Sequence, residues 1–213
     1  MYEQLVFDLK KSAQTATGSD DIERIVTKHR ELLLAALDET ADADNRRGDI
    51  QRICSEYSTD LQRSILGYHF DDLAEPILDI GCGEGAHFVT EGLQRGKRIV
   101  GIDQYISKEY SDTILCRNWL EFEYIPGYWG TIVSHMAFTN HFIYHLKHKT
   151  ALVEAYDETY FNILLSLRSG GTWYYSPSIP EIEEKIDTHS YAVRQIAENL
   201  NGISVTATQI TKL

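Results

Sequence analysis

With 213 residues, the chain can build one good-sized domain and a smaller appendage, and its 43% hydrophobic and 11% aromatic content suits a folded core. A net charge of −12, with no cluster of Lys and Arg, argues against a surface that gathers nucleic-acid backbone. No run approaches the ~18 apolar residues of a bilayer span, so small molecules or cationic groups are the expected partners rather than nucleic acid or membrane.

The opening MYEQLVFDLKK carries its charges after the apolar residues and lacks a small-residue cleavage site, unlike a secretory leader. Cys54, Cys82 and Cys116 are widely spaced and form no disulfide framework or CxxC metal pattern. Together these features predict a cytoplasmic protein.

In 19–39, Ile22, Ile25, Val26, Leu32, Leu33 and Leu34 recur at a helical period behind an Ser19/Asp20 cap. A second helical pattern covers 48–70, with Ile50, Ile53, Leu61 and Ile65. These define an N-terminal helical extension, 1–72, ahead of a domain spanning 73–213. Tyr57, Tyr68 and His69 fall near the entry to that domain, which favours a lid; a homodimer surface and extra core are the alternatives.

From Pro76 onward short apolar runs alternate with helical ones. Strands are predicted at 77–80, 98–103, 113–116, 130–135, 172–176 and 203–211, and helices at 86–96, 150–170 and 181–200. Such alternation predicts an α/β fold with a doubly wound, mostly parallel sheet of Rossmann-like type.

The strand ILDI runs into Gly81-Cys82-Gly83-Glu84-Gly85-Ala86, which fits the GxGxx(G/A) turn of dinucleotide sites. Ligands of such sheets collect beyond the carboxyl ends of the strands, where glycines permit close approach and helix-start amides are free. Asp79 at the end of the first strand repels a pyrophosphate and suits a ligand carrying an amine or sulfonium. Asp103 at the end of the second can accept hydrogen bonds from a ribose diol. A cationic nucleoside with an amino-acid tail satisfies the set, and S-adenosylmethionine is that molecule.

ILDIGCGEG followed by RIVGID resembles the first two motifs of the class I S-adenosylmethionine-dependent methyltransferases, and 131-TIVSHMAFTNHF-142 resembles the family's fourth strand and following loop. The resemblance implies that Asp79 faces the cofactor's amino end and that Asp103 holds the ribose. Gly81, Cys82, Gly83 and Gly85 would lie along the methionine part. Gln104, Asn118 and Trp119 would lie on the nucleoside side, and Ser134 would face the glycine turn. Three departures from the family pattern stand out. Asn118 comes only fifteen positions after Asp103, which leaves little room for a second helix. Only one clear strand is visible where the family closes with an antiparallel pair, and no motif marks the methyl acceptor.

Methyl transfer is an in-line displacement, and a base is required when the acceptor carries a proton. His135 and His141 follow the fourth strand most closely and are the candidate bases, with His135 also near the acceptor. His141, His145 and His148 share a helix face, but no carboxylate sits among them, so no metal is expected. Tyr124, Tyr128 and Tyr144 are candidates for an acceptor wall. Glu181 and Glu183 form either a cation-attracting rim or an acidic helix start. Two alternatives stay open: a protein that binds the cofactor without transferring methyl, and a nicotinamide-dependent oxidoreductase, although no Tyr-x-x-x-Lys pair is present.

Overall fold

The computed structural model describes residues 59–106, 112–200 and 203–213. The helix expected over 19–39, and most of the extension assigned to 1–72, lie outside these residues. The part of the second helix that is described runs Thr59–Leu66 (α1) and is followed by a single 3-10 turn, Phe70–Asp72.

Seven strands follow: Ile77–Ile80 (β1), Ile99–Asp103 (β2), Ile114–Cys116 (β3), Trp129–His135 (β4), Leu167–Ser176 (β5), Tyr191–Leu200 (β6) and Ile203–Lys212 (β7). They form one sheet in the order β3-β2-β1-β4-β5-β7-β6. The first five strands are parallel and β7 is antiparallel to both its neighbours. The order reverses between β1 and β4, so the crevice of a doubly wound sheet opens above those two strands. His87–Gln94 (α2), Phe138–His148 (α3), Val153–Ser166 (α4) and the short Pro180–Glu183 (α5) complete the fold.

Residues facing each other on parallel neighbours point to the same side of the sheet, and successive residues alternate. One face carries Ile77, Ile99 and Val133 against Ile65, Leu66, Tyr68 and Phe70 of the leading segment and Phe88 and Val89 of α2. The other carries Leu78, Ile80, Ile102, Ile132 and Trp173 against Phe138 and Phe142 of α3 and Tyr156, Tyr160 and Ile163 of α4. Burial on both faces explains why β1 reads as an unbroken apolar run. The leading segment from α1 to Leu73 thus packs into the sheet's own core, and Gln209 Nε2 on β7 donates to Leu66 O at 3.0 Å.

The sequence reading of 181–200 as a helix is wrong for most of its length. Only Pro180–Glu183 is helical, and Tyr191–Leu200 is a strand paired with β7 along ten positions. Val193 and Ile196 are three apart, which mimics a helical face. In the strand they point to opposite sides, Val193 toward the α3/α4 core and Ile196 toward the α1/α2 core. The sheet therefore closes with the antiparallel pair whose second member was not legible. Likewise 167–170, expected as a helix end, begins β5. Between β2 and β3 the described residues, up to Ile106 and from Asp112, hold no helix.

Glu183 is buried inside this closing pair and does not form a rim to the site. Its Oε1 accepts from Tyr175 Oη at 2.7 Å and from the Ile179 amide at 2.8 Å, while Thr208 Oγ1 lies 2.8 Å away. Its Oε2 accepts from Gln195 Nε2 on β6 at 2.6 Å. Tyr160 Oη bonds Tyr175 Oη at 2.7 Å, which extends the network into α4. One carboxylate thereby ties α4, α5, β5, β6 and β7 together, whereas Glu181 stays exposed.

Candidate functional site

Asp79 pairs with Gly101 on β2 and Val133 on β4, so the three form one row on the α1/α2 face. Two residues further along the same face stand Asp103, His135 and Ser176, at the carboxyl ends of β2, β4 and β5. The sheet's crevice is thus floored by Asp79, with Asp103 on one side and His135 on the other. Asp79, Asp103 and His135 are all buried.

The glycine turn is shaped by packing as much as by any ligand. Gly81 has φ +80°, and a Cβ added there would overlap Ala137 Cβ and meet the Trp119 ring at 3.7 Å. The start of α3 therefore rests directly on the turn, and only glycine fits. The Gly81 and Cys82 amides both donate to Ile102 O, at 2.8 and 3.2 Å. Gly83 adopts φ +68° and sends its amide to Asp103 Oδ2 at 3.1 Å. The Tyr105 amide takes the other oxygen, Oδ1, at 2.8 Å. Asp103 is held by one main-chain donor per oxygen, and each oxygen keeps capacity to accept from a ligand. Gly85 is exposed, and a side chain there would press on the His87 ring.

The electrostatics centre on Asp79. Burial first, and the Asp103 charge second, push its carboxyl from 3.8 up to about 8. Asp103 is also raised by burial, against the pull of its two amide donors. The Cys82 thiol between them is pushed well up by burial and by both acids, so it is no thiolate nucleophile. A positive charge placed beside these two acids would favour their ionised forms.

Beside the glycine turn, Trp119 is buried, with its Nε1 donating to Tyr156 Oη at 3.3 Å. Its main-chain oxygen accepts from Tyr124 Oη at 3.0 Å, and the His141 ring stands edge-on to it at 5.2 Å. Asn118 turns its Oδ1 onto the Leu120 amide at 3.0 Å, shaping the bend after β3. Gln104 follows Asp103 at the rim, and its carbonyl lies 3.8 Å from Cys116 Sγ.

His135 and His141 come to the two sides of the sheet edge. His135 shares the face of Asp79, and His141 packs with Trp119 and the α3/α4 layer. Burial lowers both to about 4, helped at His141 by His145, so both are neutral imidazoles at physiological pH.

Several expected site residues stand elsewhere. Ser134 is fully buried on the face opposite Asp79, because strand alternation turns its side chain away from its neighbour His135. Tyr128 precedes β4 and is exposed at the strand's amino end, roughly 20 Å of strand from the crevice at ~3.3 Å per residue. Tyr144 is exposed on the outer side of α3, with its ring 4.4 Å from that of His148. Tyr124 keeps its place near the site, but its hydroxyl is occupied by Trp119. Sequence reasoning missed Ala137, whose methyl group dictates Gly81, and Tyr156, which orients Trp119. Neither carries a sequence signal, since both act through contacts between distant segments.

Among the described residues no group of three or more His, Cys, Asp and Glu is arranged to hold a metal ion, and no helix is long and apolar enough to cross a membrane.

No protein-family model matches the sequence, and no curated protein matches it. Solved structures do. The N-methyltransferase NodS from Bradyrhizobium japonicum, in complex with S-adenosyl-L-homocysteine, matches with 16% identity and a TM-score of 0.48, over 84% of this chain and 97% of that one. An rRNA methylase from Streptococcus thermophilus matches with 13% identity and a TM-score of 0.47, over 74% and 98%. The S-adenosylmethionine-dependent methyltransferase from Mesorhizobium loti matches with 18% identity and a TM-score of 0.35, over 49% and 46%. The sheet of this chain is Rossmann-like on its own strand order.

Proposed function

We propose that this chain is an S-adenosylmethionine-dependent methyltransferase of class I type that acts on a small molecule in the cytoplasm. The observation that carries this reading is the pair Asp79 and Asp103 at one crevice, beside the glycine turn and with no cation among the described residues to complete it. Asp103 presents two oxygens, each anchored by one amide, to a vicinal diol. The buried Asp79 keeps a proton near neutrality, and the ammonium at the amino-acid end of the cofactor is the kind of group that displaces it. A dinucleotide would bring a pyrophosphate toward the same acids, at an electrostatic cost.

When bound, the cofactor supplies an electrophilic methyl group on a sulfonium. The chain's own residues bind, orient and keep water out. Trp119, fixed by Tyr156 and Tyr124, walls the nucleoside side. His135 stands on the floor beside Asp79 with neutral nitrogens, so it can accept a proton from an acceptor once transfer has begun.

The acidic balance of the chain, −12, supports a neutral or cationic acceptor over a polyanionic one. The free thiols Cys82 and Cys116 agree with a reducing compartment.

Calorimetry with S-adenosyl-L-homocysteine and with a nicotinamide dinucleotide tests the cofactor; binding of the second alone would overturn the reading. Incubating the protein with methyl-labelled cofactor and a metabolite extract tests the reaction. Label should move into an extract compound, with S-adenosyl-L-homocysteine formed. Release of methylthioadenosine instead would show cleavage of the aminobutyryl chain.

A further inference from the structure

Tyr68 lies between α1 and β1, outside the motifs that suggested the site. It is 4% exposed, and its hydroxyl is buried without a hydrogen-bond partner. Three rings fix its direction: Phe88 at 5.6 Å, Tyr174 at 5.8 Å and Phe70 at 6.2 Å, each edge-on. Tyr174 belongs to the same row of the sheet as Val133 and Asp79. The phenol therefore lies over the floor that ends in the Asp79 carboxyl. Asp79 is the strongest charged influence on its hydroxyl, ahead of Arg63 and Glu91, and burial is the largest influence of all. A buried phenol and a buried carboxyl thus lie close enough to sense each other, yet no hydrogen bond joins them.

An unpaired buried hydroxyl is destabilising, and a ligand group bonded to it would recover that cost. An acceptor hydroxyl and an acceptor carboxylate together suit a group that donates to both. A primary ammonium has three N–H donors and a charge that matches the carboxylate. A carboxylate or phosphate there would face Asp79.

We propose that Tyr68 Oη is a ligand-contacting group that, together with the Asp79 carboxylate, seats the primary ammonium of the bound cofactor. This inference rests on the cofactor reading above. It brings the segment before β1 into the site and gives that segment a part in telling amino-acid-bearing nucleosides from bare ones.

The test is Tyr68→Phe, which removes only the hydroxyl. Affinities for S-adenosyl-L-homocysteine and for 5′-methylthioadenosine, which lacks the ammonium, are measured on wild type and variant, the weaker by ligand-detected magnetic resonance at millimolar concentration. The variant should lose about 5–20-fold in affinity for the first ligand and nothing for the second, in line with one charged hydrogen bond. The melting temperature of the ligand-free variant should stay the same or rise, since an unpaired polar group has gone. No loss for S-adenosyl-L-homocysteine, an equal loss for both ligands, or a lower ligand-free melting temperature would each overturn the role of Tyr68 while the cofactor reading stands. If wild type binds neither nucleoside, the cofactor reading falls and takes this inference with it.

Discussion

Replacing Asp79 with Asn should make the ligand-free protein more stable and the cofactor complex weaker. In the fold, burial and the Asp103 charge hold the Asp79 carboxyl at about 8, against 3.8 as its ordinary value. Between those two pH values the folded chain keeps a proton that the unfolded chain has lost. Stability from this group is therefore complete below about pH 4, falls as pH rises, and levels off above about pH 8. The slope is about 1.4 kcal/mol per pH unit, so raising pH from 5.5 to 8 costs wild type about 3 kcal/mol at this residue. Asn is neutral throughout and escapes that loss. For a chain of this size about 1 kcal/mol moves the melting temperature by roughly 2–4 °C. The gap between variant and wild type should thus widen by about 6–12 °C between pH 5.5 and 8.5. Thermal unfolding followed by circular dichroism across that range, without ligand, gives the answer. A gap that does not change with pH would show that Asp79 is not held neutral by its surroundings. In the same variant, affinity for S-adenosyl-L-homocysteine should drop by tenfold or more, because an amide carries no charge for the ammonium.

In wild type, cofactor affinity should climb with pH up to about 8, by as much as about tenfold per unit, because a cation bound at Asp79 displaces its proton. Calorimetry in buffers of different ionisation enthalpy should register proton release at pH 7, and a buffer-independent heat would contradict the coupling. Asp103→Ala should weaken binding by about 1–3 kcal/mol and leave the Gly83 and Tyr105 amides unpaired; unchanged titration would remove Asp103 from the site. Gly81→Ala should destabilise by more than about 2 kcal/mol, since its Cβ would overlap that of Ala137 and its φ is positive; Ala137→Gly should relieve the overlap alone, and denaturation curves identical to wild type would refute the contact. Glu183→Ala should cost about 2–4 kcal/mol by stranding Tyr175, Gln195 and the Ile179 amide, without altering the pH dependence of cofactor affinity.

Local signals in the sequence located β1, β2, the glycine turn and both acids, because each is a property of a few adjacent residues. A strand buried on both faces must be apolar throughout, and a turn with positive φ must contain glycine, so both leave marks that survive without context. The reversal of strand order between β1 and β4, which makes the crevice, is typical of a sheet built from alternating strands and helices. The strand Tyr191–Leu200 was not legible because its apolar residues serve opposite faces at a spacing that a helix also produces.

The sequence by itself determined which chemical groups stand at the strand ends: two carboxylates, a bend that only glycines permit, and imidazoles after the fourth strand. Only the tertiary structure decided which of them share a face. Alternation along β4 sends His135 to Asp79 and Ser134 away from it, and the sheet puts Tyr128 at the far end. It also brought Ala137 onto Gly81 and Tyr68 over the floor of the crevice. Contacts of that kind join residues 56 and 106 positions apart, Gly81 with Ala137 and Tyr68 with Tyr174, and no local pattern encodes them. Burial, which the chain acquires only on folding, is what turns an ordinary aspartate into one that keeps its proton near neutrality.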